Sequence, residues 1–497
     1  MATKVHRDVV VVGAGHAAHA AAVAAAQQGA RVTVLEKAPE HARGGTGNFT
    51  GGRMRFPFET VEDLRPLVRD FSPDEEKQMQ AWLARPGRKN TQAKLYDDFM
   101  RICEGRSDPN LVQVLVTQGF PTALWMAQTG FTWVPTLNNP LHIQPVQIVG
   151  GGWGMLAKWY ELAEAMGVEH RYDTPAVSLL QDARGRVSGV RALTPEGYRD
   201  FTSGAVVLAC GGYEANAEKR AAYLGPGWEQ VPVRAVPYNT GDGHRMAFEV
   251  GAMPCGQWTF CHNVLVDIAS PPFGRQSKVA GSQELDRSYL SLGILVNIRG
   301  ERFVDEGDGF FNDNVTKVGP QVVRQPRGVA FEIFDAKVTP VIQQWRPVRG
   351  IEADTLEELA DRLGIEDRQG FIRTVQRFNA AVQGGNFDPF ILDGLATRGL
   401  PLPKTNWALP LDTPPYFGLA VTTGVTFSFG GLRIDQQAQV QDTRERSIPG
   451  LYACGTIVGG IFYNNYPGHC GLLSGATFGK IAGTHAAEEA SVRRGAG

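Results

Sequence analysis

The sequence predicts an α/β protein built on a Rossmann-type nucleotide-binding unit, and three observations carry that prediction. A β-branched run over residues 8–12 leads through a glycine turn into an alanine-rich stretch over residues 20–26. A second strand-patterned run, over residues 31–35, ends at an acid, Glu36, and completes a strand–turn–helix–strand unit. From about Tyr416 the same glycine-punctuated rhythm returns, after a stretch of different pattern that suits an inserted α+β domain.

Each part of the first unit has a physical task. In Gly13-Ala14-Gly15-His16-Ala17-Ala18, Gly13 permits the tight turn and Gly15 lets backbone amides approach a pyrophosphate. The small Ala18 lets the helix sit close to the strand, with its positive end toward the phosphates. Gly29 closes the helix. Glu36 stands where an acid accepts hydrogen bonds from an adenosine ribose, with Lys37 beside it. The next segment chooses the nucleotide. A loop carrying Gly44, Gly45, Thr46, Gly47, Gly51 and Gly52 has no task at this place in a nicotinamide enzyme. It can instead wrap the ribityl chain and pyrophosphate of FAD with backbone amides, and let the isoalloxazine lie against the main chain.

Bulk properties narrow the remaining classes. The chain of 497 residues is long enough for two or three structural units. Lys+Arg 49 against Asp+Glu 51 gives no basic face for a phosphate backbone, so nucleic acid is not an expected partner. The six cysteines are scattered without a C-x-x-C pair, so no metal, iron–sulfur or haem site is expected. No stretch of ~18 apolar residues suggests a membrane span, and the N-terminus has no secretion signal pattern, which makes a cytoplasmic protein the expectation.

The motifs named so far are joined by others further along: Gly-Gly-Gly-Trp-Gly-Met over residues 150–155, the run over residues 206–214, Asn239-Thr240-Gly241-Asp242, the pair Gly430-Gly431 with Asp435, and the long run over residues 448–476. Together they resemble the fumarate reductase/succinate dehydrogenase flavoprotein superfamily over nearly the whole length, and are most similar to its tricarballylate dehydrogenase-like members. The resemblance implies a discontinuous FAD-binding domain, residues 1–256 and 411–497, with a capping domain inserted over residues 257–410. The residues themselves agree with an insertion: a strand over 293–298, a turn at Arg299-Gly300, and helix-patterned segments over 356–363 and 370–382.

By the same resemblance, a buried strand over 449–455 leads to the flavin, and Ala176, Asp242, Gly455 and Thr456 join the cofactor contacts. Gly471, Leu472 and Leu473 begin a helix pointing at the pyrimidine end of the ring. There its N-terminus would favour the negative charge that appears at flavin N1 and O2; a helix start with no electrostatic duty is the alternative. Members with covalent flavin carry a histidine in the early glycine loop. None stands between Gly44 and Gly52, although His41 lies just before, so non-covalent FAD is expected.

The departures from the family bear on the substrate. Fumarate reductases carry a histidine before the Gly-Gly pair, a proton-donating arginine in the cap and a carboxylate-gripping arginine in the C-terminal loop. Here Thr426-Phe427-Ser428-Phe429 precedes Gly430, residues 307–311 read Gly-Asp-Gly-Phe-Phe, and Asn465-Tyr466 takes the last place, so fumarate reduction is not expected. Tyr466-Pro467-Gly468 is similar to the loop of 3-ketosteroid Δ1-dehydrogenases, where a tyrosine hydroxyl and a nearby amide polarise a substrate carbonyl. Tyr466, with the Gly471 amide, is thus the first candidate electrophile; a tyrosine merely packed over the flavin is the other reading. His262 is the candidate base or a histidine one layer removed, and Tyr289 is a second candidate or a core tyrosine. His469 and His142 stand near the site motifs as weaker candidates. The aromatics Phe427, Phe429, Phe462, Tyr463 and Tyr466 suit a cyclic ketone or simply wall the FAD domain. The tricarballylate likeness suits a polycarboxylate, for which Arg245, Arg287 or Arg302 would supply charge. Both substrates stay open.

The expectation is an FAD-dependent dehydrogenase that forms a C=C bond next to a carbonyl or carboxylate by hydride transfer to flavin N5, and passes its electrons to a separate acceptor or carrier protein. The alternatives are an ene reductase running the reverse reaction, or a non-catalytic flavin-bearing electron-transfer subunit, which a missing substrate cavity at the flavin would favour.

Overall fold

The structure is a computed structural model that describes residues 4–137, 144–274, 289–345 and 350–495; His142 and Arg287 lie outside them. Strand Lys4–Val12 runs through the middle of an eight-stranded sheet. The sheet order is Gln439–Gln441, Ser447–Ala453, Gly197–Leu208, Lys4–Val12, Val32–Leu35, Glu169–Arg171, with Val187–Thr194 and Ala176–Gln181 added beside Gly197–Leu208. Val12 stands opposite Leu35 on one side and Leu208 on the other, both pairings parallel. A parallel sheet is covered on both faces, which is why Val9, Val10 and Val11 are apolar without alternation and fully buried.

Helix His16–Gln27 packs against the C-terminal helix Cys470–Gly495 at backbone distance. A Cβ on Gly483 would stand 2.1 Å from the Ala21 carbonyl oxygen, and one on Gly479 would stand 2.7 Å from that of Ala17. Alanine on one helix and glycine on the other are therefore what the contact requires. Gly29, at φ +76, closes the first helix as expected, and the Gly29 and Ala30 amides donate to the Ala26 and Ala25 carbonyls.

The second layer is a five-stranded antiparallel sheet of Cys261–Asp267, Tyr416–Ser428, Ala330–Phe334 and Ile294–Asn297, with Ile351–Ala353 also paired to Tyr416–Ser428. Its two faces feed separate cores. Ala330 and Phe334 point into a cluster with Val318 and Val322 of helix Phe311–Val323. Phe331 and Ile333 point the other way, into a cluster with helices Leu356–Leu363 and Arg368–Ala381. This sheet draws strands from both sides of residue 410.

The expected helix over 356–363 has those bounds. The second helix begins at Arg368 because the Asp367 side chain caps it by accepting from the Gly370 amide at 2.7 Å. The strand expected over 293–298 is shorter, Ile294–Asn297, because the flanking carbonyls are taken elsewhere: Gly293 accepts from Lys404 Nζ and Ile298 from the Glu366 amide. The strand expected over 449–455 is Ser447–Ala453, and Gly455, at φ +78, opens a short 3-10 turn.

Candidate active site

A cavity of about 310 Å3 runs from the N-terminal glycine turn to the second sheet, and residues of both layers line it. That volume lies within the range of small-molecule sites. At the nucleotide end stand Gly13, Gly15, Glu36 and Lys37. Gly13 has φ +103, and a Cβ there would meet the Ala209 carbonyl at 2.5 Å, so the turn needs glycine for its own backbone. Gly15 is different. It caps helix His16–Gln27 without any side-chain bond, and a Cβ on it would meet nothing nearer than the Gly44 carbonyl at 3.6 Å. Its open side and the helix start are where a pyrophosphate fits.

Glu36 is half-buried just past the strand end. Its carboxylate accepts from the Ala14 amide at 2.8 Å and the Ala38 amide at 2.7 Å, while burial pushes its carboxyl up. Lys37 donates to Thr240 Oγ1 at 2.6 Å and Asp242 Oδ2 at 2.7 Å, joining the second strand to helix Asp242–Glu249. Burial would raise the Asp242 carboxyl, but the bonds from Lys37 and Thr240 outweigh it and hold it below the usual range.

Gly45, Thr46, Gly47 and Gly51 line the cavity further along, as do Ala176, Gly455 and Thr456, while Asp242 lines it beside Lys37 at the nucleotide end. Thr46 Oγ1 accepts from Asn239 Nδ2 at 3.0 Å, and both donate to the buried carboxylate of Glu214. Burial raises that carboxyl to about 7. Gly471 and Leu472 close this side at the start of helix Cys470–Gly495. Two helix starts on the cavity wall, a turn that only glycine can make and an acid at the adenosine end form a set that fits FAD.

Ala18, Gly44, Gly52 and Leu473 do not line the cavity. Ala18 and Leu473 are fully buried, Leu473 against Gly119 on helix Pro109–Gln128. Gly44 folds over the Asn48 side chain, and Gly52 sits against Gly151, at the start of helix Gly151–Ala165. They shape the loop rather than face the space.

Tyr466, His262 and Tyr289 come together at the far end, with Phe427 and Thr426. Tyr466 Oη accepts from the Gly471 amide at 2.7 Å. The amide thus acts through the phenol instead of reaching a substrate carbonyl itself, which leaves the Tyr466 O–H as the donor. Burial pushes this phenol far up, so it stays protonated. The His262 ring lies 4.2 Å from the Tyr466 ring, and its Nδ1 is 2.9 Å from Thr316 Oγ1. Burial, and then the charge of Arg234, lowers His262 to about 3, so it is neutral at ordinary pH.

A β-bulge aims these groups. His262 pairs with Phe427 and Asn263 with Val425, leaving Thr426 as the extra residue. Bulges re-aim side chains at sites of this kind. The Thr426 hydroxyl is buried on the cavity wall with no hydrogen-bond partner among the described residues.

The arginines of the cavity are Arg53 and Arg234, not those the sequence reading put forward. Arg245 is exposed and paired with Glu249, and Arg302 is spent on the buried Glu306 at 2.5 Å. Arg234 faces the Tyr466–His262 pair, while Arg53 lies near His469, which burial and then Arg53 and Arg55 push well below the ordinary histidine value. Arg53 follows the glycine loop directly, a signal that was present in the sequence; Arg234 has none. Among the described residues lining the cavity, the acids Glu36 and Asp242 are at the nucleotide end. His41 is exposed and off the cavity. His16 does line it, but both its ring nitrogens are engaged, Nδ1 by the Trp159 indole at 2.9 Å and Nε2 by the Leu472 carbonyl at 3.0 Å.

A family model described as an FAD binding domain matches residues 8–472. The chain is 28% identical over 494 residues to a fumarate reductase (cytochrome) of Shewanella frigidimarina, covering 97% of this chain and 77% of that protein. Among solved structures it is similar to the open conformation of a flavocytochrome c3 fumarate reductase, with TM-score 0.73 at 24% identity, covering 98% of this chain and 79% of the other. It is also similar to 3-ketosteroid delta1-dehydrogenase from Sterolibacterium denitrificans, with TM-score 0.72 at 20% identity, covering 97% and 99%. These two likenesses are of fold. No helix among the described residues is long and apolar enough to cross a membrane.

Proposed function

Since this chain belongs to the FAD binding domain family and is an FAD-dependent oxidoreductase acting on carbon–carbon bonds, we propose that it oxidises a saturated bond next to a carboxylate or carbonyl. The observation that carries this reading is the convergence of Tyr466, His262, Arg53 and Arg234 at one end of a cavity whose other end suits a dinucleotide. Bound FAD, held non-covalently, supplies the hydride acceptor. The rest is done by side chains. Tyr466 donates its O–H to the substrate's oxygen handle, strengthened by the Gly471 amide behind it. That bond draws electron density from the adjacent C–H and acidifies it. His262, neutral and packed beside Tyr466, takes the proton.

Arg53 and Arg234, the latter donating to the Phe49 carbonyl at 2.8 Å, favour a carboxylate as the handle, because two positive charges lining the cavity attract an anion. A cyclic ketone is the second reading, favoured by Tyr466 and by Phe427 on the same wall. The reverse, reductive direction is favoured by the relative named a fumarate reductase. Electrons leave to a separate carrier.

Anaerobic mixing of the oxidised holoprotein with saturated polycarboxylates and saturated cyclic ketones separates these readings. A carboxylate should bleach the flavin absorbance, and Tyr466→Phe should keep its FAD but bleach roughly a hundredfold more slowly. Bleaching by a ketone alone would hand the site to the second reading. If no saturated compound bleaches it but an unsaturated acid reoxidises the reduced protein, the reaction runs in the reductive direction.

A further inference from the structure

We propose that Thr316 fixes the tautomer of His262, so that Nε2 is the proton-accepting atom of the site; Thr316 is then a positioning residue for the dehydrogenation proposed above, on which the inference rests. Strand Cys261–Asp267 and helix Phe311–Val323 are latched by a reciprocal pair of bonds. Asn263 Nδ2 donates to the Thr316 carbonyl at 3.0 Å, and the Thr316 hydroxyl donates to the Asn263 carbonyl at 3.3 Å. A carbonyl oxygen can only accept, so this arrangement commits the single hydroxyl proton of Thr316. The same hydroxyl oxygen lies 2.9 Å from His262 Nδ1. With its proton committed, Oγ1 must accept there, and Nδ1 must carry the hydrogen. A neutral imidazole has one N–H, so Nε2 keeps the lone pair.

The groups around the ring agree with a neutral acceptor. Tyr466 packs on it, tilted by 33°, at 4.2 Å between centroids, and Phe427 packs at 5.1 Å from the strand across the bulge. Arg234 acts on it from the neighbouring loop, and the charge of a protonated His262 would fall on His469 as well. Arg234 disfavours a resting imidazolium, and His469 beside it is itself held neutral by burial. In the reaction, Nε2 takes the proton from the carbon beside the handle while Nδ1–H stays on Thr316. The electron pair of that C–H remains in the substrate as the second bond of the alkene, and the hydride leaving the neighbouring carbon is the equivalent that FAD, the oxidant of the reading above, receives. The imidazolium then returns its proton to solvent.

The competing arrangement has Thr316 donating to Nδ1, which would leave the hydrogen on Nε2 and no free lone pair on His262. Long-range 1H–15N correlation of holoprotein labelled with 15N-histidine distinguishes the two, with His262→Gln assigning the signal by its loss. Wild type and Thr316→Ser should show the Nδ1–H form; Thr316→Val should lose it and lower kcat roughly tenfold or more, with KM little changed, and Thr316→Ser should restore the rate. An Nε2–H ring in the wild type overturns the proposal, as does a Thr316→Val protein with wild-type tautomer and kcat. If Thr316→Val does not fold, the wild-type and Thr316→Ser spectra still decide. The spectra need no turnover, so a failure to oxidise any saturated compound would strike the dehydrogenase reading and leave the tautomer assignment to stand or fall separately.

Discussion

At the scale of single residues, Glu214 gives the sharpest pH prediction. Burial is the largest influence on its carboxyl and raises it from 4.5 to about 7, against the opposing bonds from Asn239 and Thr46. Between those two values the folded protein holds a proton that the unfolded chain has released. Stability contributed by the neutral acid is therefore complete below 4.5 and is lost as pH rises toward 7. In flavin-free protein, Glu214→Gln should flatten that part of the Tm–pH curve and raise Tm above pH 7, a difference of order a few kcal/mol; an unchanged slope would sink the assignment. Not all residues were equally legible. Gly13, Gly15 and Glu36 could be read because their roles follow from backbone geometry within one βαβ unit. Tyr466 and His262 could be named from their motifs, yet their contact depends on a loop and a strand that are far apart in sequence. Ala18 and Leu473 sit beside cavity residues but face the core, since neighbours on a helix point in different directions. Arg234 was hidden because only the fold turns its loop toward the Tyr466 end.

The secondary-structure elements show a similar division. Local caps and periodicity gave helices Leu356–Leu363 and Arg368–Ala381, the second displaced by its Asp367 cap. The bulge at His262 and Asn263 had no sequence mark, because it is a property of two paired strands and not of either one. The contact between helices His16–Gln27 and Cys470–Gly495 makes its own prediction. Alanine is the better helix former by ~1 kcal/mol, so Gly483→Ala would stabilise an isolated helix. Here the added methyl would meet the Ala21 carbonyl at 2.1 Å, and overpacking of that kind costs roughly 1–3 kcal/mol. Thermal unfolding should show a lower Tm for Gly483→Ala, and a rise would mean that the helices separate freely.

At the scale of the molecule, the two-layer organisation was legible from the change of rhythm along the chain, whereas the joint between the layers was not. The cofactor attachment can be tested on the whole protein. His41 is exposed, and the cavity-lining His16 has both ring nitrogens bonded, so acid precipitation should release all the yellow colour into the supernatant. Colour retained in the pellet would show a covalent link through another group.

Strand Tyr416–Ser428 begins against Ile351–Ala353, runs the length of the second sheet and ends with Thr426 and Phe427 on the cavity wall. Excising the insertion at residues 257 and 410 would leave this strand with no neighbours from that sheet and a long row of bare amides and carbonyls, an invitation to aggregate. A recombination that exchanges the insertion between homologues must carry the strand along, and with it the bulge and its threonine. Cap and bulge are thus inherited as one cassette, while Tyr466, Arg53 and Arg234 stay with the other parent; a chimaera cut at Ser428 should keep the second sheet paired and stay in solution where one cut at 410 aggregates, and its specificity should draw on both parents.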